Sequence, residues 1–119
     1  MTRSPEIMPD WLEVELRQIV KLFVEGDYYG LERWSRGSRV PAKAMEQSIQ
    51  EYGRTLAMPS DLRHACFGRM EVGEPAYWVS LPFCTKEEVR SDLEVQLTVY
   101  DPSKSGSQCR IEIDDILVP

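Results

Sequence analysis

Cysteine and histidine are scarce in this sequence. Its 119 residues include three cysteines, Cys66, Cys84 and Cys109, and one histidine, His64. An odd number of widely spaced cysteines without a CxxC pair excludes a disulfide framework. A single histidine among scattered cysteines does not supply the ligand set of a zinc site. His64 and Cys66 are two residues apart, which is a poor geometry for sharing a proton along a strand, so we interpret them as structural.

The motifs of several common enzyme classes are also missing. The sequence contains no GxSxG nucleophile elbow, no GxxxxGK[ST] phosphate loop and no GxGxxG. We therefore expect no catalytic residues, no metal ion and no cofactor. No apolar run approaches the length of a membrane span, and "MTRSPEIMPDW" lacks the apolar stretch of a signal peptide. These absences predict a cytoplasmic protein that does not bind a membrane.

Positive charge is in deficit, and the deficit lies in the second half of the chain. The whole chain has 14 basic and 20 acidic residues, for a net charge of −6, and residues 61–119 hold 11 acidic and 6 basic residues. Nucleic acid is an unsuitable partner because binding it requires clustered cations. A basic protein partner fits better, since complementary fields speed encounter. A charge of this size is also ordinary for solubility alone.

The first apolar pattern predicts a helix. Asp10 is placed to begin it, because its spacing to Glu13 is that of a capping box, and Gly26 is placed to end it. We predict residues 1–9 to be a flexible tail and residues 10–119 to be a single domain. The apolar stripe consists of Leu12, Leu16, Ile19, Val20 and Phe23.

Two shorter helices are predicted next. Asp27 can cap a short helix that reaches Trp34 and closes at Gly37. Pro41 suits the first turn of a third helix, for which Gly53 is a stop signal. The apolar stripe of the third helix consists of Met45, Ile49, Tyr52 and an additional Leu56.

After about residue 62 the period of the pattern changes to that of strands. The segments "HACFGRMEV", "AYWVSLPFC", "DLEVQLTVY" and "QCRIEIDDILV" alternate apolar and polar residues. Pro82 lacks a backbone donor, which places the second strand at an edge or ends it in a bulge. We predict an α+β fold in which two to three N-terminal helices pack on one face of a four-stranded antiparallel meander.

The last strand contains a break in its alternation. Ile111 and Ile113 are odd-numbered, whereas Ile116 and Val118 are even-numbered, and a regular strand cannot place both sets on one face. One extra residue at 114–115 would restore the match, which is what a β-bulge supplies. Alternatively, the strand bends and Ile116 and Val118 pack elsewhere.

The sheet face opposite the helices is the candidate partner-binding surface. Alternation points two aromatic residues and several acids away from the apolar face, and exposed aromatics beside acids are typical of protein-binding surfaces. Glu94 and Glu112 on neighbouring strands are also a candidate pair for acid–base chemistry or for a divalent cation, although we interpret them as part of a polar face. The partner-binding candidates are Trp78, Asp92, Glu94, Tyr100, Glu112, Asp114 and Asp115.

Two family resemblances add to these expectations. Gly26, Asp27, Tyr28 and Leu31 in "VKLFVEGDYYGLERW" resemble the motif at which two N-terminal helices meet in the nuclear-transport-factor-2-like superfamily. That resemblance implies a cone-like fold with a ligand-binding or catalytic pocket between helices and sheet. The pocket would be lined by Tyr28, Trp34, Tyr52 and Trp78.

The second resemblance covers more of the chain. The segments "GSRV", "EYGRTL", "RSDLEVQLTV" and "IEIDDILV" resemble a family of short, uncharacterised bacterial proteins that are similar to immunity proteins, including those of contact-dependent growth inhibition. This resemblance implies a small cytosolic protein that binds and blocks a cognate toxin domain, often a basic nuclease. A third alternative is an accessory domain that dimerises through its open sheet face.

Overall fold

The computed structural model describes residues 7–36, 39–102 and 109–119. In that part of the chain, helices α1 (Asp10–Glu25), α2 (Tyr28–Trp34) and α3 (Ala42–Tyr52) precede all the strands. The strands are β1 (Leu56–Ala57), β2 (Cys66–Val72), β3 (Glu74–Pro82), β4 (Cys84–Thr85), β5 (Glu94–Tyr100) and β6 (Ile111–Leu117). This order confirms the predicted α+β class with N-terminal helices. None of the helices described is both long and apolar enough to cross a membrane.

Helix α1 begins at Asp10 and ends before Gly26, as predicted, but its first turn is capped differently. Gly26 adopts a left-handed conformation (φ 75°), which stops the helix after Glu25. The predicted capping box is wrong, because Asp10 is already the first helical residue and Pro9 occupies the capping position. The Pro9 carbonyl accepts the first helical hydrogen bonds, and Glu13 instead accepts one from Arg17 Nε at 3.1 Å. Pro9 at the capping position makes the helix start one residue earlier than a box from Asp10 to Glu13 requires.

Helices α2 and α3 follow the predicted signals. The Asp27 carboxylate accepts a hydrogen bond from the Gly30 N–H at 3.0 Å, so it caps α2 as expected. Helix α3 begins after Pro41 and ends at Gly53, which has a φ of 77°. The predicted stop at Gly37 lies outside the described residues. Leu56 belongs to β1 rather than to the stripe of α3.

Strands β2, β3, β5 and β6 pair in that order as an antiparallel sheet. This is the predicted meander, with β4 inserted before β5. The expected consequence of Pro82 is wrong, because β3 lies inside the sheet and pairs with β5 without a register shift. Pro82 is the last residue of β3, and the next N–H, that of Phe83, bonds the Leu93 carbonyl at 2.9 Å. A missing N–H donor at the end of a strand therefore leaves the hydrogen bonds between β3 and its neighbours intact.

A small second pairing was not predicted. Strand β1 pairs with β4, with Leu56 opposite Thr85 and Ala57 opposite Cys84. A strand of two residues is too short to show a hydrophobic period, so this pairing could not be predicted. The pairing matters because it fixes the segment that leads from the helices to the sheet and the loop that leads into β5.

The bulge in the last strand is confirmed. Gln96 pairs with Asp115 and Leu97 pairs with Ile113, so Asp114 is the extra residue on β6. The bulge returns Ile116 to the helix side of the sheet, where it is buried. Val118 does not follow, since β6 ends at Leu117 and Val118 is exposed.

The helices cover one face of the sheet and form a continuous core with it. Phe23 of α1 packs edge-on against Phe83, with ring centroids 5.0 Å apart. Trp34 of α2 is tied to the last strand segment, because its Nε1 donates to the Cys109 carbonyl at 2.9 Å. Residues 7–9 lead into α1, and Met8 packs partly against the core. The buried sheet residues of this core are Val79, Leu81, Val95, Leu97, Val99, Ile111, Ile113 and Ile116.

Candidate functional site

The outer face of the sheet is the side turned away from the helices. Cross-strand partners point to the same side, so the pairing register defines its rows. One row runs Gly68, Trp78, Thr98 and Glu112 from β2 to β6, and the next runs Cys66, Ser80, Gln96 and Asp115. In the part of the chain that the structure describes, none of the three helices lies over this face. Trp78 is on this face and is 44% exposed.

The indole of Trp78 packs against Gly68. A Cβ added at Gly68 would lie 2.5 Å from Trp78 Nε1 and 2.7 Å from Cε2. The indole therefore lies directly over the Gly68 backbone, on the neighbouring strand. A glycine inside a strand allows another group to approach the backbone closely, and Gly68 thus makes room for the exposed aromatic side chain.

Tyr100 has a different environment from Trp78. The Arg110 guanidinium carbon lies 3.8 Å from the centre of the Tyr100 ring, and Arg110 Nη1 also pairs with Glu74 Oε1 at 3.0 Å. Tyr100 is consequently half-buried beneath a cation. Of the two aromatic residues predicted to meet a partner, only Trp78 presents an uncovered ring.

The structure brings four of the predicted acids onto β5 and β6, and we call these residues the acidic half of the outer face. Glu94 Oε2 accepts a hydrogen bond from Ser80 Oγ at 2.6 Å. Asp114, the bulge residue, accepts one from Thr98 Oγ1 at 2.7 Å. These two carboxylates are held in place by hydroxyl groups, and the Asp115 carboxylate accepts a hydrogen bond from the Ile116 N–H at 2.9 Å. The acidic half consists of Glu94, Glu112, Asp114 and Asp115.

Asp92 lies at the end of this face rather than within it. It precedes β5 in an exposed loop, and its N–H donates to the Tyr52 hydroxyl at 3.1 Å. Its surroundings form an open groove of about 250 Å³ that also reaches Glu94. The groove extends the acidic half beyond the sheet. Its lining residues are Pro82, Arg90, Ser91, Asp92, Glu94 and Pro119.

In the described part of the chain, no acid of the outer-face candidate set forms an ion pair, whereas five other carboxylates do. These ion pairs form between basic side chains and carboxylates in other places. Neither Asp92 nor any member of the acidic half takes part in one. The paired carboxylates are those of Glu13, Asp61, Glu74, Glu88 and Asp101.

The paired-carboxylate alternative does not fit the register. Glu94 lies opposite Leu117, whereas Glu112 lies opposite Thr98, four residues further along β5. Four residues of strand separate the two positions by about 14 Å, too far to share a proton or one metal ion. Within the described residues there is also no group of three or more His, Cys, Asp and Glu that could hold a metal.

The predicted lining of a pocket between helices and sheet is wrong. Trp78 lies on the outer face and cannot line a cavity on the helix side. Trp34 is engaged with the Cys109 carbonyl, and the space that a pocket would need is filled by Phe23 and Phe83. A cavity of about 10 Å³ under β3 has room for no more than one water molecule.

The comparison with known families gives one match, which covers most of the chain. A family model described as a domain of unknown function (DUF7668) matches residues 20–119. The chain belongs to the DUF7668 family. No curated protein and no solved structure matches it. The match begins inside α1 and contains the whole outer face, so this surface is part of the DUF7668 domain. The family description assigns no activity, which leaves the chemistry of the face to be inferred.

The cysteines of the DUF7668 domain should differ sharply in reactivity. Burial, with additional effects of Glu15 and Asp101, raises the pKa of the Cys109 thiol to about 12. Because the thiolate is the reactive form, roughly one Cys109 in ten thousand is ionised near pH 8. Cys66 is exposed on the outer face. Brief treatment of the folded protein with iodoacetamide should therefore modify Cys66 and spare Cys109, as measured by peptide mass spectrometry. Modification of Cys109 first would contradict its burial.

Several functional neighbours could not be found from the sequence. Ser80 and Thr98 hold the carboxylates of Glu94 and Asp114, and Arg110 covers Tyr100. Each of these contacts joins different strands, so it depends on the pairing register. The alternation of β3 and β5 placed Ser80 and Thr98 on the outer face, but it did not say which acid each would meet.

Proposed function

We propose that this DUF7668 domain is a small cytosolic binding protein, an immunity protein that covers the basic surface of a cognate toxin domain. The observation that carries the proposal is the outer face, where an exposed Trp78 lies beside carboxylates without ion pairs. The sequence resemblance to immunity proteins favours the same function. The role assigned to the domain is occlusion, because nothing on the outer face forms a catalytic set.

The electrostatics of the face favour a basic partner. Glu112, Asp114 and Asp115 lie close together on β6, and Glu94 lies on the neighbouring strand β5. Together they give this part of the face a concentration of negative charge. A cationic surface would be drawn to such a face from a distance.

The size of the face says how much else must touch the partner. Three strand spacings of about 4.8 Å and strands of about 23 Å give a surface of roughly 330 Å². A standard protein interface buries about 800 Å² on each side. The contact must therefore continue past the sheet, and the groove that Asp92 and Arg90 line is the adjoining surface. We accordingly place Asp92 within the interface.

The test is reversal of the three acids whose carboxylates accept no hydrogen bond from a hydroxyl group on another strand. Asp92, Glu112 and Asp115 become lysine, while Glu94 and Asp114 are kept because hydroxyl groups depend on them. The partner is the C-terminal domain of the large secreted protein expected to be encoded immediately upstream. We expect the association rate at low salt to fall about 10- to 100-fold and its dependence on salt to weaken. Stopped-flow or surface plasmon resonance measures both.

A matched variant controls for net charge. Glu25, Glu46 and Glu51 are exposed on α1 and α3, and changing them to lysine alters the total charge by the same amount. This variant should keep most of its association rate and should still protect cells that express the toxin domain. Equal losses in both triple variants would mean that only total charge matters. If the upstream domain does not bind at all, the proposed function is wrong.

A further inference from the structure

The outer face is chemically divided along the direction of its strands. The acidic half occupies β5 and β6. The positions of β2 and β3 that share the face carry no charged side chain over the length that faces the acidic half. We call this part the apolar half. It consists of Cys66, Gly68, Met70, Ala76, Trp78 and Pro82, with Ser80 beside the acids.

We infer that the element of the partner seated on this face is a basic amphipathic helix that lies along the strands. Its apolar stripe would rest on the apolar half, and its lysine or arginine side chains would reach the acidic half. The inference rests on the proposed function and names the chemistry of the partner. Charge complementarity is the reason for proposing lysine or arginine on one side of the helix. The carboxylates of the acidic half form no ion pair among the described residues, so they can bind cations of the partner.

The dimensions suit a helix. The face is about 14 Å wide, from three strand spacings of about 4.8 Å, and a helix with its side chains is about 10–12 Å across. One helix therefore spans both halves at once. A helix of about 18 residues is about 27 Å long, which is close to the length of strands of seven to nine residues. An added strand would instead join an edge and leave the face uncovered.

Side chains in both halves of the outer face are already ordered in the free protein. The indole of Trp78 is supported by the Gly68 backbone, so it offers a broad apolar surface of fixed position. Ser80 and Thr98 hold the carboxylates of Glu94 and Asp114 in the same way. Groups that are already ordered lose little conformational entropy on binding. Tryptophans that become buried on binding are among the residues that dominate interface energies.

The test uses a synthetic peptide of about 18 residues, built from leucine and lysine with helical periodicity and labelled with fluorescein. A peptide of the same composition in scrambled order is the first control. A leucine–glutamate peptide of the same pattern is the second. Fluorescence anisotropy should show that the periodic lysine peptide binds at least about tenfold more tightly than the scrambled one. The glutamate peptide should not bind.

Variants of the protein locate the site. Trp78→Ala leaves the charge unchanged and should weaken binding of the periodic peptide about tenfold or more. The Asp92, Glu112 and Asp115 reversal should weaken it as well, whereas the Glu25, Glu46 and Glu51 reversal should not. Circular dichroism confirms that each variant is folded. Cys66 is exposed in the apolar half, so the bound peptide should slow its alkylation at least about fivefold, in line with a site mostly occupied.

Three results would overturn the inference. They are equal binding of periodic and scrambled peptides, an unchanged affinity in Trp78→Ala, and alkylation of Cys66 at the same rate with peptide bound. A concentration-dependent dimer that Trp78→Ala abolishes would assign the face to a second copy and would overturn it too. The proposed function is judged separately by the upstream toxin domain. If that domain binds while the face variants have no effect on either ligand, the proposed function stands and the amphipathic helix does not.

Discussion

Changing Phe23 to alanine should lower the free energy of unfolding by about 3–5 kcal/mol. Phe23 is 1% exposed, and its ring packs edge-on against Phe83 and, at 6.4 Å between centroids, against Tyr28. The substitution opens a cavity where α1 meets the sheet, and the surrounding rings cannot collapse fully into it. Equilibrium unfolding in urea, followed by circular dichroism, measures the change from the shift of the midpoint.

Val14→Ala is the matched control for Phe23→Ala. Val14 lies on the same helix but is 64% exposed, so its side chain contributes little to the core. We expect a change within about 0.5 kcal/mol. If the two substitutions cost the same, α1 does not pack against the sheet as described. The assignment of inner and outer faces, on which the binding surface depends, would then be wrong.

The parts of the fold that could be predicted are those with a long, regular pattern. The stripe of α1 repeats over three turns, and β5 alternates without interruption, so both elements and their buried sides followed from the sequence. The bulge followed from parity alone, since Ile113 and Ile116 can share a face only if one residue is added between them. Periodicity reports which side of an element is buried, and in these elements burial is continuous.

The parts that could not be predicted depend on single residues in competition with their neighbours. Pro9 occupies the capping position in place of Asp10. A proline is typical of an edge strand, but Pro82 is the last residue of a central strand. Its missing N–H therefore interrupts no hydrogen bonds within that strand's pairing. In such cases a proline indicates that a helix or strand begins or ends nearby. It does not indicate whether the proline itself lies inside that element or just outside it.

The candidate surface divides in the same way. Alternation placed Trp78 and Glu112 on one face, and the structure has them in one row. It could not show that Tyr100 is covered by Arg110, because that contact requires β5 and β6 to be paired in one particular register. It also gave the same weight to every acid. The structure separates the two carboxylates that accept hydrogen bonds from hydroxyl groups of neighbouring strands, those of Glu94 and Asp114, from the other three.

Gly68→Ala should destabilise the protein by about 1–3 kcal/mol, which is unusual for a change that normally favours a strand. The added Cβ would lie 2.5 Å from Trp78 Nε1, so the indole has to leave its position over β2. Equilibrium unfolding in urea measures the stability. Binding of the periodic lysine peptide should weaken about as much as it does in Trp78→Ala, because in both variants the apolar half has lost its fixed aromatic surface.

A double-mutant cycle separates this explanation from a general intolerance of side chains at Gly68. Once Trp78 is alanine, the space above Gly68 is empty, and Gly68→Ala should be neutral or stabilising by up to about 0.5–1 kcal/mol. The sign of the same substitution therefore reverses between the two backgrounds, which requires a coupling energy of more than about 1 kcal/mol. If Gly68→Ala is equally harmful without the indole, the glycine is needed by the backbone of β2 itself. Trp78 would then be a side chain free to move on the surface, and its contribution to binding would include the entropy of ordering it.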